Sequence, residues 1–141
     1  MAKKFLIHTD GGARGNPGPA AIGVVIEQDG APPGRGKIIY KEGKCIGSTT
    51  NNQAEYQAVV LALQKAKELG AEELEFHLDS ELVVKQLQGK YKVKNQDLAL
   101  QFLKIHNLQQ QFKKVIYKHV FREDNKLADV LLNKALDAPQ R

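Results

Sequence analysis

Four acidic residues stand where a charge is costly: Asp10, Glu55, Asp79 and Asp129. Asp10 follows the apolar run Phe5-Leu6-Ile7, and Asp79 follows the apolar run ending at Leu78. Glu55 lies in the first turn of the most apolar stretch with helical spacing in the chain, and Asp129 lies near the start of the last such stretch. Each has an ordinary explanation when taken alone. Asp10 before Gly11-Gly12 suits a turn. Glu55, three residues after Asn52, suits a capping box. Asp79 suits a turn or a cap, and Asp129 complements a helix dipole. Together they point elsewhere. Carboxylates converging from neighbouring elements repel one another unless a cation holds them, and no Lys or Arg adjoins them to do so. A ligand set of oxygen alone selects Mg²⁺ or Mn²⁺. Two such ions about 3.5–4 Å apart form a clamp for in-line displacement at a phosphodiester.

The elements that must position these acids follow from apolar period and from Gly/Pro punctuation. Strands are expected at 4–9, 21–27 and 37–44, joined as an antiparallel meander by a loop at 10–19 and a turn at 28–36. A helix at 52–69 ends at Gly70, and a fourth strand follows at 74–78. Ser80 can cap a short helix at 81–88, with an extended Lys-rich segment at 89–95 behind it. A helix at 96–112, a fifth strand at 115–120 and a helix at 125–136 complete the chain, with 138–141 a frayed tail. Helical crossovers require strands four and five to lie parallel to strand one. The expected fold class is therefore α/β: a five-stranded mixed sheet, antiparallel through strands one to three, with helices on both faces. Sites in such sheets form beyond the carboxyl ends of strands, where the strand order switches.

The 141 residues suit a single domain, 1–141. At 42% hydrophobic and 26% charged, the composition excludes a disordered, collagen-like or coiled-coil chain. No apolar run approaches the roughly 18 residues of a membrane span, and the apolar start is too short for a signal peptide. Cys45 alone cannot form an internal disulfide, which fits a reducing, cytoplasmic setting. The loop at 11–19 lacks the Gly-Lys-Ser/Thr ending of a P-loop and the spacing of a dinucleotide fingerprint; it reads as a tight path bringing backbone close to a ligand. The net charge is +5, unevenly spread. Residues 85–118 hold eight lysines and only Asp97 as an acid, whereas 68–81 hold six acids and no Lys or Arg. A basic surface around an acidic centre fits a phosphate-backbone partner.

Four segments resemble the ribonuclease H type 1 family: TDGGARGNPGP at 9–19, TTNNQAEY at 49–56, LDSELV at 78–83 and REDNKLAD at 122–129. The resemblance runs from about residue 4 to 137. It implies a ribonuclease H-like fold and hydrolysis of the RNA strand of RNA/DNA hybrids with two Mg²⁺ (or Mn²⁺) ions. Water attacks phosphorus and the 3′ oxygen leaves, giving 5′-phosphate and 3′-hydroxyl ends. It assigns the metal to Asp10, Glu55, Asp79 and Asp129, with Asp10 bridging both ions. Asn16, Thr50 and Asn52 match positions holding the DNA-strand phosphate or nearby backbone. The backbone of Gly11, Gly12 and Ala13 and the side chain of Asn51 match positions that approach the RNA 2′-hydroxyls, the group that distinguishes RNA from DNA. Ser80 and Glu81 fall among the nucleic-acid-binding positions, Glu81 where an amide often reads the minor groove.

Three features depart from many members of the family. The basic, tryptophan-rich protrusion is reduced to residues 89–95, where Lys90, Lys92 and Lys94 supply charge. The segment before the last helix holds no histidine; the resemblance to compact members makes Arg122 the candidate for that residue's role in product release, and His119 is expected on the fifth strand. No N-terminal hybrid-binding domain is expected, nor an obligate protein partner, and a monomer suffices. Two other functions compete: a related-fold nuclease acting on structured DNA, and a non-catalytic nucleic-acid-binding module. The Thr50-Asn51-Asn52 block favours the hybrid over the first. The four acids argue against the second, since a pure binder gains nothing from repelling phosphate at its centre.

Overall fold

The computed structural model describes residues 3–28 and 36–138. Most of the expected turn at 28–36 and nearly all of the expected tail therefore lie outside the described residues. The elements are β1 (Lys4–Ala13), β2 (Gly18–Gln28), β3 (Lys37–Thr49), α1 (Asn51–Glu68), β4 (Glu73–Leu78), α2 (Glu81–Leu87), α3 (Gln96–Gln109), β5 (Lys114–His119), a 3₁₀ turn (Arg122–Asp124) and α4 (Lys126–Asp137). One five-stranded sheet runs in the order β3-β2-β1-β4-β5. The β1–β2 and β2–β3 pairs are antiparallel, and β1–β4 and β4–β5 are parallel. The expected topology is the observed one.

Strand period sorts the two sides of the sheet. Phe5 and Ile7 of β1, Val24 and Ile26 of β2 and Phe76 and Leu78 of β4 join Tyr56, Val59 and Leu63 of α1 in the main core. Leu98 and Ile105 of α3 and Val83 and Val84 of α2 close that core. The opposite face carries α4. Its axis lies so close to the sheet that a methyl group on Gly23 would overlap the Ala128 carbonyl, and one on Gly43 would overlap that of Leu131. With helices on both sides, β2 is buried along nearly its whole length. The outer strands β3 and β5 are more exposed and carry lysines, which discourages edge-to-edge pairing. Among the described residues, no helix is long and apolar enough to cross a membrane.

Several boundaries differ from expectation, and the differences concern the site. Asp10 to Ala13 is strand, not loop: Asp10 pairs with Gly23, Gly11 with Ile22 and Ala13 with Ala20. Glycine punctuation suggested a break, but β2 supplies a ladder partner for each residue, so the loop shrinks to 14–17 and contains a cis Asn16–Pro17 bond. β3 likewise continues to Thr49, bulging where Ala20 and Ala21 face it. Thr50, not Asn52, caps α1; its hydroxyl accepts the Gln53 N–H at 3.2 Å. Glu55 therefore has no part in a capping box. α3 ends at Gln109, and Phe112 packs against the core from beyond it. Residues 92–94 carry no regular structure and join no strand.

Gly23→Ala tests the close docking of α4. Overpacking of this kind costs about 1–3 kcal/mol, so urea unfolding should show a lowered midpoint at unchanged slope.

Candidate active site

β1 and β4 run side by side in register to the pair His8–His77, and then part. Asp10 and Asp79 lie two residues beyond that pair on the same ends of neighbouring strands. α1 then crosses the end of β1 at very short range. A methyl on Gly11 would collide with the Ala54–Glu55 peptide, so only glycine lets α1 seat Glu55 there. The result is a tight acid cluster: one carboxylate oxygen from each of Asp10, Glu55 and Asp79 lies within 4.8 Å of the other two. Asp129, on the first turn of α4, stands beside Asp10 from the other face of the sheet and completes the set of four.

Asp10 is 5% and Glu55 7% exposed, so water screens neither charge well. Burial, then the charges of Asp79 and Asp129, push Asp10 up from its ordinary 3.8 to about 8. Burial, then Asp10 and Asp79, push Glu55 well above the carboxylate range, opposed by a hydrogen bond from the Gly11 N–H. None of the leading contributions to either balance comes from a cation. Among the described residues, the Glu55 Oε2 atom is fully buried without a partner. An orphaned carboxylate oxygen beside two further carboxylates is the donor set of a hard divalent cation, and these residues fit one.

The acids form the floor of a cleft of about 540 Å³. Gly11, Gly12, Ala13, Asn51, Asn52, Ser80 and Arg122 line it with them. Arg14 also reaches the rim, where it pairs with Asp137 at 2.6 Å. A second cleft of about 660 Å³ adjoins it and holds Asn16, Thr50, Asn51 and Asn52. Two side chains stitch the loop to α1: the Asn51 Oδ1 accepts the Ala13 N–H at 2.8 Å, and the Asn16 Oδ1 accepts the Asn51 N–H at 3.1 Å. Both amides thus turn their oxygens inward, which leaves their NH₂ groups as donors at the cleft. The Ser80 hydroxyl caps α2 by accepting the Val83 N–H at 3.3 Å.

Glu81, Lys90, Lys92 and Lys94 line neither cleft. Glu81 pairs with Lys85 at 3.1 Å. Other members of the long lysine run are also paired with the acidic stretch, Lys113 with Glu72 at 2.7 Å and Lys118 with Glu75 at 3.5 Å. The cleft also holds a residue not anticipated from the sequence. Asn133, one turn after Asp129, donates its amide to the Asp129 carbonyl at 3.0 Å and to its Oδ1 at 3.3 Å. An i, i+4 relation to a candidate ligand on the helix was the signal that could have found it.

This α/β sheet, with four carboxylates at its switch point, defines a ribonuclease H-like domain. A family model described as "Reverse transcriptase-like" matches residues 8–135. The chain is 42% identical over 128 residues to ribonuclease HI of Halobacterium salinarum, covering 91% of this chain and 62% of that protein. It is 40% identical over 135 residues to the bifunctional protein Rv2228c of Mycobacterium tuberculosis, covering 96% of this chain and 36% of that one. The chain thus spans only part of the length of these relatives. The crystal structure of the H. salinarum RNase H1 matches with a TM-score of 0.88 at 40% identity, over 95% of this chain and 98% of that one. LC11-RNase H1 in complex with an RNA/DNA hybrid matches with a TM-score of 0.87 at 43% identity, over 94% and 96%. The chain belongs to the ribonuclease H type 1 family.

Because both acid shifts are upward, the cation-free fold favours protonated carboxyls. That contribution to stability is fully present below the unfolded pKa near 3.8 and is lost as pH rises toward 8. In chelator, the melting temperature should fall between about pH 5 and pH 8. Asp10→Asn should flatten the fall, and Mn²⁺ should reverse it. A melting temperature that climbs steadily over that range in chelator would contradict the buried-acid account.

Proposed function

We propose that this chain is an endoribonuclease that hydrolyses the RNA strand of RNA/DNA hybrids, leaving 5′-phosphate and 3′-hydroxyl ends. The observation that carries this is the clustered trio of buried Asp10, buried Glu55 and half-buried Asp79, with its orphaned oxygen, at the floor of a cleft walled by backbone and amide donors. Similarity to LC11-RNase H1, whose structure holds an RNA/DNA hybrid, supports the substrate.

Asp10, Glu55, Asp79 and Asp129 would hold two divalent cations, Mg²⁺ or Mn²⁺. Once bound, such ions neutralise phosphate charge and lower the pKa of water. The acids alone would repel a phosphodiester, so without metal they oppose hybrid binding, which then rests on the surrounding donors and lysines. The donors around them suit an anion and a hydroxyl. The Thr50 oxygen already accepts the Gln53 N–H, so its O–H remains to donate. The NH₂ groups of Asn16 and Asn51, turned outward as described, are donors only. With Asn52, these groups provide hydrogen bonds for the DNA-strand phosphate in the second cleft and for a ribose 2′-hydroxyl in the first. Gly11, Gly12 and Ala13 keep that wall low, so that a sugar can approach the backbone. Ser80 extends the rim. Arg122, beside Asp129, assists departure of the 5′-phosphate by charge. Lys90, Lys92 and Lys94 add electrostatic attraction for the backbone from outside the clefts, and Glu81, paired with Lys85, contributes little.

The decisive assay offers one labelled sequence as RNA/DNA hybrid, RNA duplex, DNA duplex and single-stranded RNA, with Mg²⁺, Mn²⁺ or chelator. Metal-dependent cleavage of the hybrid's RNA strand is expected, and cleavage of DNA duplex alone would overturn the proposal. Asp10→Asn should reduce hybrid cleavage by more than the roughly 10–100-fold typical of residues behind a metal ligand, while hybrid binding in chelator is retained or strengthened. Replacing Lys90, Lys92 and Lys94 together by Ala should weaken hybrid binding at low salt. It should also reduce the salt slope of log K by about one for each phosphate that is no longer neutralised.

A further inference from the structure

Asn125 is 1% exposed and sits at the N-cap position of α4, yet its side chain makes no cap hydrogen bond. Asparagine at that position ordinarily offers its oxygen to the helix's own first N–H groups, a contribution of about 1 kcal/mol. Here the local preference is overridden, and the amide is directed into the sheet. Its Nδ2 donates to the Thr9 carbonyl at 2.9 Å, on the residue before Asp10. A carbonyl can only accept, so this bond fixes which end of the amide faces β1. Oδ1 is thereby left as the acceptor for the His8 Nδ1, 3.2 Å away. His8 meets His77 edge to face at 5.0 Å, and the His77 Nε2 lies 2.7 Å from Glu75. A row of polar groups, half-buried His8, buried His77 and half-buried Glu75, therefore backs the amide.

The backbone of the same residue holds the other two pieces. Its carbonyl accepts the Asp129 N–H at 3.2 Å, which starts α4, and its N–H donates to the Arg122 carbonyl at 3.0 Å, which closes the 3₁₀ turn. One residue thus joins the strand of Asp10, the turn of Arg122 and the helix of Asp129. We infer that Asn125 is a positioning residue for the cation site, setting Asp129 against Asp10 through its bond to the Thr9 carbonyl. This rests on the two-cation function proposed above. Gly23 sets how close α4 lies to β2 at Ala128, and the Thr9 bond ties its start to β1, the strand of Asp10. Asp10, Glu55 and Asp79 are placed by strand pairing and by the Gly11 contact, whereas α4 reaches the site from the opposite face of the sheet.

The test is Mn²⁺ titration calorimetry on the full chain, beside melting temperatures. Asn125→Ala should bind Mn²⁺ at least about 10-fold more weakly, the range seen when support behind a metal ligand is removed. Asn125→Ser, a smaller change that cannot reach both Thr9 and His8, should show the same defect if the alanine variant fails to fold. In an Asp129→Asn background, Asn125→Ala should cost little further affinity, because both changes act on one ligand. Gln86→Ala removes another buried amide, bonded to Tyr56 at 2.6 Å, and should lower the melting temperature but not the Mn²⁺ affinity. A folded Asn125 variant with unchanged Mn²⁺ affinity would overturn the inference, as would a full additional loss in the Asp129→Asn background or an equal loss in Gln86→Ala. Failure of the unsubstituted chain to bind Mn²⁺ would overturn the two-cation function itself, and this inference with it.

Discussion

The dominant constraint on this structure is repulsion among carboxylates that water barely screens. Asp10 and Glu55 are almost fully buried, with Asp79 and Asp129 close by, and among the described residues no salt bridge neutralises either buried acid. In bulk water such charges would cost little. At the end of a closely packed sheet, burial and the neighbouring charges raise the proton affinity of Asp10 and Glu55, and one Glu55 oxygen is left without a partner. The scaffold holds them together against this repulsion, which a bound cation would relieve.

Close approach of backbone supplies the rigidity. α1 lies so near β1 that Gly11 has no room for a side chain, and α4 lies equally near β2 and β3 at Gly23 and Gly43. These contacts carry helices from opposite faces of the sheet to one end of β1. The parallel β1–β4 pair adds Asp79. Three independent packing arrangements thus converge on one point, and each of them relies on glycine or on strand register instead of on a salt bridge.

The basic character of the chain is divided between two tasks. Lys85 pairs with Glu81 within α2, and Lys113 and Lys118 pair with Glu72 and Glu75, so part of the lysine run serves to brace α2 and to join the β5 segment to that of β4. Ion pairs this exposed add little stability. Their main effect is to leave less positive charge on the surface than the run of lysines suggests. The net +5 is consequently concentrated in fewer places than the sequence implies, among them Lys90, Lys92 and Lys94 on the irregular segment before α3.

By itself, the sequence determined the element order, the mixed sheet with strands four and five parallel to strand one, and the identity of the four acids. Apolar period is a local signal, and a charge at the end of an apolar run is visible without coordinates. The nature of the cleft walls was partly legible: Asn16, Thr50 and Asn51 could be named, but not which of their atoms face outward. That depends on the Asn51–Ala13 and Asn16–Asn51 hydrogen bonds, each spanning more than 30 residues of chain. Tertiary structure also decided that Asp10 to Ala13 is strand, because a ladder partner on β2 outweighs the loop preference of glycine. It moved the cap of α1 from Asn52 to Thr50, since β3 runs on to Thr49 and the chain must turn at once. Asn125 was invisible as a support for Asp129, because an amide at a helix start reads as a cap. Only the position of α4 against β1 turns its amide toward the Thr9 carbonyl, whereas Asn133 stands beside the Asp129 carboxylate by helix spacing alone.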